Sequence, residues 1–343
     1  MRSRSLLIGL WLIAIAAALV MPQAVHAGSQ AKGMKNIRFT FDWVPYSKYN
    51  GFYVALEKGW YKARGLNVRL LPGRGSGNTA TRIATGNTEM GFTDPTSIVL
   101  GRARGQDLRM VAMVDDKAFH VIFALKSSGI RTPKDLEGKS ISVPAGTALE
   151  VAWPAFLQAT GLKNYQQVNI EGKVQNTSLL AGRVDAITSF ATVQVPLRLM
   201  AKKKKDDINV ILWSDYGVKI TSDGIVTTDR YIAQNPKAVR DFVKASLDGF
   251  AWSINNPDAA VKILVKHVPT ANPMINKGFW KVVQDHMLTP IIKEKGLGYI
   301  DPAKMKYTRD LMARAHKLKK NVKVEDMYTH KFLPDPLPKP WAK

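Results

Sequence analysis

The chain has 343 residues, no cysteine, and a formal net charge of +23 from 50 Lys and Arg against 27 Asp and Glu. Without cysteine, the expected fold rests on a hydrophobic core rather than disulfides, thiol catalysis is excluded, and the lipid anchor that needs a cysteine at its cleavage point is not expected. The charge suits either an acidic partner or an evenly solvated basic surface. The basic residues are scattered, and none of the usual nucleic-acid-binding patterns occurs, so no nucleic-acid partner is expected.

Arg2 and Arg4 precede an almost wholly apolar stretch from Leu6 to Val20, followed by Pro22 and then Val25-His26-Ala27. This is the layout of a secretory signal peptide over residues 1–27, cut after Ala27. The alternative is a membrane anchor, but about 15 apolar residues fall short of the roughly 20 that span a bilayer as a helix. A freely diffusing periplasmic protein of about two typical domains is the expectation.

Beyond residue 36, short apolar strands alternate with helices. Strands are predicted over 37–41, 68–71, 89–92 and 110–114, with helices over 51–64, 79–85 and 96–104 between them, which argues for βαβ units and parallel sheet. A second unit starts near Pro133. It has strands at 140–143, 168–170, 184–189 and 210–213, and helices at 148–160, 177–182 and up to 199. The two units echo one another. Gly86 is followed by Asn87-Thr88-Glu89-Met90, and Gly182 by Arg183-Val184-Asp185-Ala186; in each, a helix-capping glycine precedes an acidic residue opening a short buried strand. Lys202-Lys203-Lys204-Lys205 falls at a predicted helix end, where cations complement the dipole. After residue 227 the chain reads as helical. Val239, Phe242, Val243, Leu247 and Phe250 mark one buried face of a helix over 236–254. The segment with Pro334, Pro336, Pro338 and Pro340 is expected to be partly extended.

Chemistry-bearing patterns are few. His120, His267, His286, His316 and His330 have no second histidine at zinc-site spacing, so no metal or cofactor is expected. Gly73-Arg74-Gly75-Ser76-Gly77 lacks phosphate-loop and dinucleotide spacing. It is either an ordinary strand-to-helix turn or a loop whose backbone N–H groups face a ligand. Trp43, Tyr46, Tyr49, Phe52 and Tyr53 cluster after the first strand, where open α/β sheets bind ligands. Phe52 and Tyr53 fall on the next helix and read as core, whereas Trp43, Tyr46 and Tyr49 fall in the loop and read as ligand contacts. Thr147 and Glu150 open a helix as a capping box or, from the same position, meet an anion.

Phe41-Asp42-Trp43-Val44-Pro45, Gly51-Phe52-Tyr53-Val54-Ala55, Lys58-Gly59-Trp60-Tyr61 and Gly65-Leu66-Asn67-Val68 resemble the opening of the thiamine-pyrimidine-synthase-like substrate-binding proteins. Asp135-Leu136-Glu137-Gly138-Lys139, Gly146-Thr147 with Glu150, Gly182-Arg183-Val184-Asp185-Ala186 and Asp215-Tyr216-Gly217 extend the resemblance over most of 37–255. It implies a type II periplasmic-binding fold, an α/β architecture of two lobes closing on a ligand. The lobes would comprise 28–125, 126–222 and a mostly helical return over 223–343, with hinge crossings near 125–128 and 221–226. The resemblance further implies an aromatic wall at Trp43 and Tyr46 and first-lobe contacts at Gly75, Ser76, Gly77 and Asp94. On the second lobe it implies an anion contact at Gly146 and Thr147, with Ser189, Phe190 and Tyr216 completing the pocket. The implied function is that of a monomeric, non-enzymatic solute-binding component of an ABC importer. It would capture a small molecule and deliver it to an inner-membrane permease with its ATPase. A sensory binding protein is the alternative, and a histidine-consuming pyrimidine synthase, which carries a cysteine-rich iron site, is the rival class. Tyr46-Ser47-Lys48-Tyr49 stands where pyrimidine binders of the group carry Asn-x-x-His, and Ala145-Gly146-Thr147-Ala148 replaces their serine-rich turn. Both departures speak against a pyrimidine phosphate and favour a larger or less charged aromatic ligand, so a thiamine pyrimidine precursor, a riboflavin-like molecule or an aromatic acid is the expected class.

Overall fold

The computed structural model describes residues 33–341, so the expected signal peptide at 1–27 lies outside the described residues. The first lobe opens with β1 (Lys35–Thr40), α1 (Asn50–Glu57), β2 (Leu66–Leu71), α2 (Ser76–Ala84), β3 (Met90–Thr93), α3 (Pro95–Ala103) and β4 (Leu108–Met113). The second lobe contains β5 (His120–Leu125), β6 (Ser140–Ser142), α4 (Ala148–Thr160), β7 (Gln166–Val168), α5 (Gly172–Leu180), β8 (Ala186–Phe190), α6 (Gln194–Lys203) and β9 (Ile208–Leu212). The chain returns through β10 (Gly224–Thr228), α7 (Asp229–Gln234), α8 (Pro236–Asn255), α9 (Pro257–His267), α10 (Pro273–Met287), α11 (Pro290–Lys295), α12 (Pro302–Ala315) and α13 (Val324–Met327).

The two sheets are copies of one plan. Their orders are β2-β1-β3-β10-β4 and β7-β6-β8-β5-β9. In each, the fourth strand arrives from the other lobe and runs antiparallel to both neighbours. This is the two-lobed α/β architecture of the periplasmic-binding-protein fold. The echo read in the sequence has a physical basis here. Gly86 and Gly182 both adopt left-handed φ, 76° and 68°, and each leads into the third strand of its sheet. Glu89 then accepts the Arg38 N–H at 2.6 Å, and Asp185 accepts the Ser140 N–H at 2.8 Å. In both lobes the acidic residue satisfies an N–H of the strand alongside.

Two expectations need correcting. The first hinge crossing is not near 125–128, because β5 already belongs to the second sheet and residues 126–128 form a 3-10 turn beyond it. The hand-over lies between β4 and β5, at 114–119. His120–Leu125 is a near-continuous buried run with no alternation, as befits an interior strand. The second crossing lies between β9 and β10, overlapping the expected 221–226. The return helices also do more than cover the first lobe. Met305 and Met312 of α12 join the core beside α3 and β4, whereas Tyr307, Leu311 and Ala315 pack into the second-lobe core. The Tyr307 hydroxyl donates to the Gly217 carbonyl, and His316 Nε2 lies 2.7 Å from the Val151 carbonyl. The proline-containing segment docks beside α11: Trp341 Nε1 donates to the Lys293 carbonyl at 3.1 Å, and just past the helix the Leu297 N–H donates to the Pro338 carbonyl at 2.9 Å.

The first-lobe core is aromatic. Phe39, Phe41, Phe52, Phe92 and Phe242 are fully buried and in mutual ring contact, and α8 lies directly on α1. That contact depends on small residues: a Cβ on Gly249 would sit 2.0 Å from the Gly51 carbonyl oxygen. Backbone faces backbone, so no side-chain rotation relieves the clash. Gly249→Ala is expected to destabilise the fold by at least about 1–3 kcal/mol, the usual range for overpacking. The check is the urea midpoint relative to Gly77→Ala, where the backbone is helical and an added Cβ makes only an ordinary contact at 3.8 Å.

Candidate functional site

The lobes meet around a cavity of about 190 Å³. Its first-lobe wall is Asp42, Trp43, Val44, Tyr46, Lys48, Gly75 and Ser76. Thr147, Ala148, Phe190, Thr192 and Val193 line it from the second lobe, and Phe279 of α10 closes one side. The loop after β1 ends in a 3-10 turn, Ser47–Tyr49, anchored by Asn276, whose Oδ1 accepts the Ser47 N–H at 2.9 Å. That turn sets Tyr46 edge-on to Phe279, with ring centroids 5.3 Å apart. Burial pushes the Tyr46 phenol up, against the pull of Lys48, so it stays neutral at physiological pH.

The starts of α2 and α4 face each other across the cavity. Gly75 precedes α2 and Thr147 caps α4, accepting the Glu150 N–H at 3.3 Å. A Cβ on Gly75 would lie 2.2 Å from the Gly146 carbonyl oxygen, so the lobes are in contact here and the cleft is closed. On the same side, Trp43 reaches over to Gly172 at the start of α5, within 3.3 Å of where a Cβ would be. Beyond Trp43, Val44 and Thr147 the cleft widens into an outer chamber of about 630 Å³.

A buried charge cluster lies behind the cavity. Lys48 Nζ lies 2.6 Å from Asp223 Oδ2, 3.1 Å from Asp42 Oδ2 and 4.0 Å from Asp115 Oδ2. Asp115 and Asp223 belong to the two hinge crossings, so Lys48 ties the first-lobe loop to both. Phe92 and Phe119 enclose the ammonium at 5.2 and 5.5 Å from their centroids. Burial alone would lower the Lys48 pKa, but Asp223 and Asp42 outweigh it and hold the ammonium charged. Burial raises the Asp115 carboxyl well above the usual range and pushes Asp223 up to about 7, with Lys48 opposing in both cases. His120 is 4 % exposed, and burial pushes its imidazole down to about 4, so it is neutral.

Six of the residues singled out from the sequence stand on the wall: Trp43, Tyr46, Gly75, Ser76, Thr147 and Phe190. Gly146 abuts Gly75 at the rim. The others lie elsewhere. Tyr49 is wholly buried, stacked 4.1 Å from Phe41, and its hydroxyl donates to Asp42 Oδ1 at 2.8 Å, so it orients Asp42 from within the core. Gly77 lies within the first turn of α2. Asp94 caps α3, accepting the Ser97 N–H at 3.0 Å. Glu150 is exposed and accepts the Gly146 N–H at 2.7 Å, one residue before the cap Thr147, so only the Thr147 half of the expected capping box forms. Ser189 is buried in β8, and Tyr216 packs on the second-lobe core.

Known proteins resemble the chain as a whole. Residues 47–260, more than half of the chain, match the family described as NMT1/THI5 like. The chain belongs to that family. Among similar proteins, the riboflavin-binding protein RibY of Chloroflexus aurantiacus is 26% identical over 321 residues, covering 91% of this chain and 90% of the relative. The formylaminopyrimidine-binding protein of Halalkalibacterium halodurans is 23% identical over 257 residues, covering 74% and 77%. Among solved structures, the alkanesulfonate-binding protein SsuA from Xanthomonas axonopodis pv. citri, bound to MOPS, superposes with a TM-score of 0.66 at 15% identity over 86% of this chain and 98% of that one. At that identity the likeness establishes the shared fold.

Proposed function

We propose that this chain is the solute-binding component of an ABC importer, acting in the periplasm. It would close on a small planar heteroaromatic molecule and deliver it unchanged to a membrane permease. The observation carrying this reading is the closed, aromatic-walled cavity backed by the Lys48 cluster. Trp43, Tyr46, Phe190 and Phe279 provide flat apolar faces. The α2 and α4 starts present backbone donors, and Asp42 offers an acceptor. Such a lining suits a ring that bears both acceptors and donors. Lys48 is the one cationic side chain on the wall among the described residues, and three carboxylates already surround it. A bare sulfonate or nitrate entering here would find that cation already paired, so those ligands fit less well than a neutral ring. The relatives named for binding riboflavin and a formylaminopyrimidine support the same class. Among the described residues, no helix is long and apolar enough to cross a membrane.

A thermal-shift panel of riboflavin, thiamine pyrimidines, aromatic carboxylates, sulfonates and nitrate tests the reading, because a ligand of the folded state raises the melting temperature by mass action. A shift from a heteroaromatic compound, recovered unaltered by mass spectrometry, is the expected result. Shifts from sulfonate or nitrate alone, or conversion of the bound compound, would overturn it. Trp43→Ala with Tyr46→Ala is expected to weaken that ligand about 10- to 100-fold, at roughly 0.5–1.5 kcal/mol per lost aromatic pair beyond area burial. Titration calorimetry provides the number, and unchanged affinity would remove these rings from the site.

A further inference from the structure

The loop after α12 gathers unpaired cations around a hollow. Arg314, Lys317, Lys319, Lys320 and Lys323 are all exposed within ten residues, and none forms an ion pair among the described residues. On the adjoining face the cations are matched: Arg102 and Arg109 share Asp229, and Arg109 also approaches Asp326. Dipole complementarity accounts only for Arg314, which lies in the last turn of α12, since the lysines follow the helix. The loop is also held in shape. Arg309 donates to the Val322 carbonyl at 2.6 Å and to Asn321 Oδ1 at 3.3 Å, and Lys317 adopts a left-handed φ of 49° that costs a non-glycine residue free energy. The result is a hollow of about 400 Å³ ringed by Arg309, Arg314, Lys319 and Lys320 over Leu318 and Val322; its one carboxylate, Asp310, is taken up by Arg309 and Lys306.

We propose that this hollow is a docking surface for anionic phospholipid headgroups, which would hold the protein against the membrane face. The composition favours a lipid surface over a protein partner. Stereospecific protein interfaces concentrate Trp, Tyr and Arg anchors and are depleted in Lys. Here four of the five unpaired cations are lysines and no aromatic residue lines the hollow. Mobile ammonium groups over a shallow apolar floor suit a fluid array of phosphates, each lysine adding an increment of binding that salt screens.

The test is co-sedimentation of the protein with phosphatidylcholine vesicles, with and without phosphatidylglycerol. Binding only to the anionic vesicles is expected, and Lys319→Glu with Lys320→Glu should lower the partition coefficient about tenfold or more. The charge-matched control is Lys202→Glu with Lys203→Glu, two exposed lysines at the end of α6, and it should keep most of the binding. Equal loss in both variants would mean that overall charge, not this hollow, binds the membrane. No loss in the first variant would likewise overturn the proposal. So would displacement from the vesicles by inorganic phosphate but not by chloride at matched ionic strength, which marks a free-anion site, or tighter binding to polyglutamate than to the anionic vesicles at matched charge, which marks a surface for acidic proteins.

Discussion

Gly75→Val is expected to abolish most ligand binding while leaving a folded, open protein. Two independent facts lead there. Gly75 has φ +117° and ψ 147°, a backbone region reserved for glycine, so any side chain carries strain of about 1–3 kcal/mol. The added Cβ would also point at the Gly146 carbonyl, 2.2 Å away on the other lobe. Both groups are backbone at the starts of α2 and α4, so neither swings aside. The lobes would have to part by roughly 1 Å to restore an ordinary carbon contact. Parting withdraws Thr147, Ala148 and Phe190 from a ligand held by Trp43 and Tyr46. Opening relieves the clash, so the clash acts on the closed state and the equilibrium moves toward open. A penalty of about 2 kcal/mol or more on closure corresponds to at least about thirtyfold in affinity. Calorimetry should show that loss, and small-angle scattering should show no ligand-induced compaction. Gly77→Val, two residues later and with its Cβ 3.8 Å from the same carbonyl, is the control. Equal affinity in wild type and Gly75→Val would mean that the closed contact at Gly75 plays no part in capture.

The two-sheet plan was readable because local chemistry repeats in the chain. Gly86 with Glu89 and Gly182 with Asp185 each perform the same task at the third strand of a sheet, and the residue types needed for it are visible in sequence. Trp43 and Tyr46 were readable because a strand end followed by aromatics is a local pattern. Tyr49 shares that composition, but the 3-10 turn of Ser47–Tyr49 rotates it into the core, and turn geometry is set by Asn276, which lies 229 residues away. The Lys48 cluster was missed for the same reason. Lys48 and Asp223 are separated by 175 residues and meet only when both hinge crossings fold. The available signals were a lone lysine inside an aromatic run, and Asp115-Asp116 and Ser222-Asp223 each abutting an apolar strand. Phe279 carried no local mark at all, since its place on the cavity follows from how α10 lies against the 47–49 turn.

Removing the cation should produce the largest stability effect in the molecule, and one that depends on pH. Lys48→Met keeps most of the aliphatic stem against Phe92 and Phe119 but leaves Asp42, Asp115 and Asp223 buried together without a counter-charge. Breaking a buried pair by removing one partner typically costs about 3–5 kcal/mol. The carboxylates can escape that cost only by binding protons. In the wild type Asp115 and Asp223 already sit above the ordinary carboxylate value, and without Lys48 they rise further. A raised folded-state pKa stabilises the fold fully below the unfolded value of 3.8 and loses that contribution as pH rises through the folded value, about 7 for Asp223. The deficit of Lys48→Met should therefore be greatest above neutrality and shrink as pH falls toward 5. Asp207 works in the opposite sense. Backbone and side-chain hydrogen bonds hold it down to about 2, so its contribution is lost only below 3.8 and leaves this window undisturbed. Urea midpoints for wild type and variant at several pH values across 5 to 8 provide the measurement. Adding Asp223→Asn should return part of the stability at high pH, since one buried charge is then gone. A deficit that stays constant with pH would show that Lys48 matters for packing alone, and the cluster would lose its electrostatic role behind the cavity.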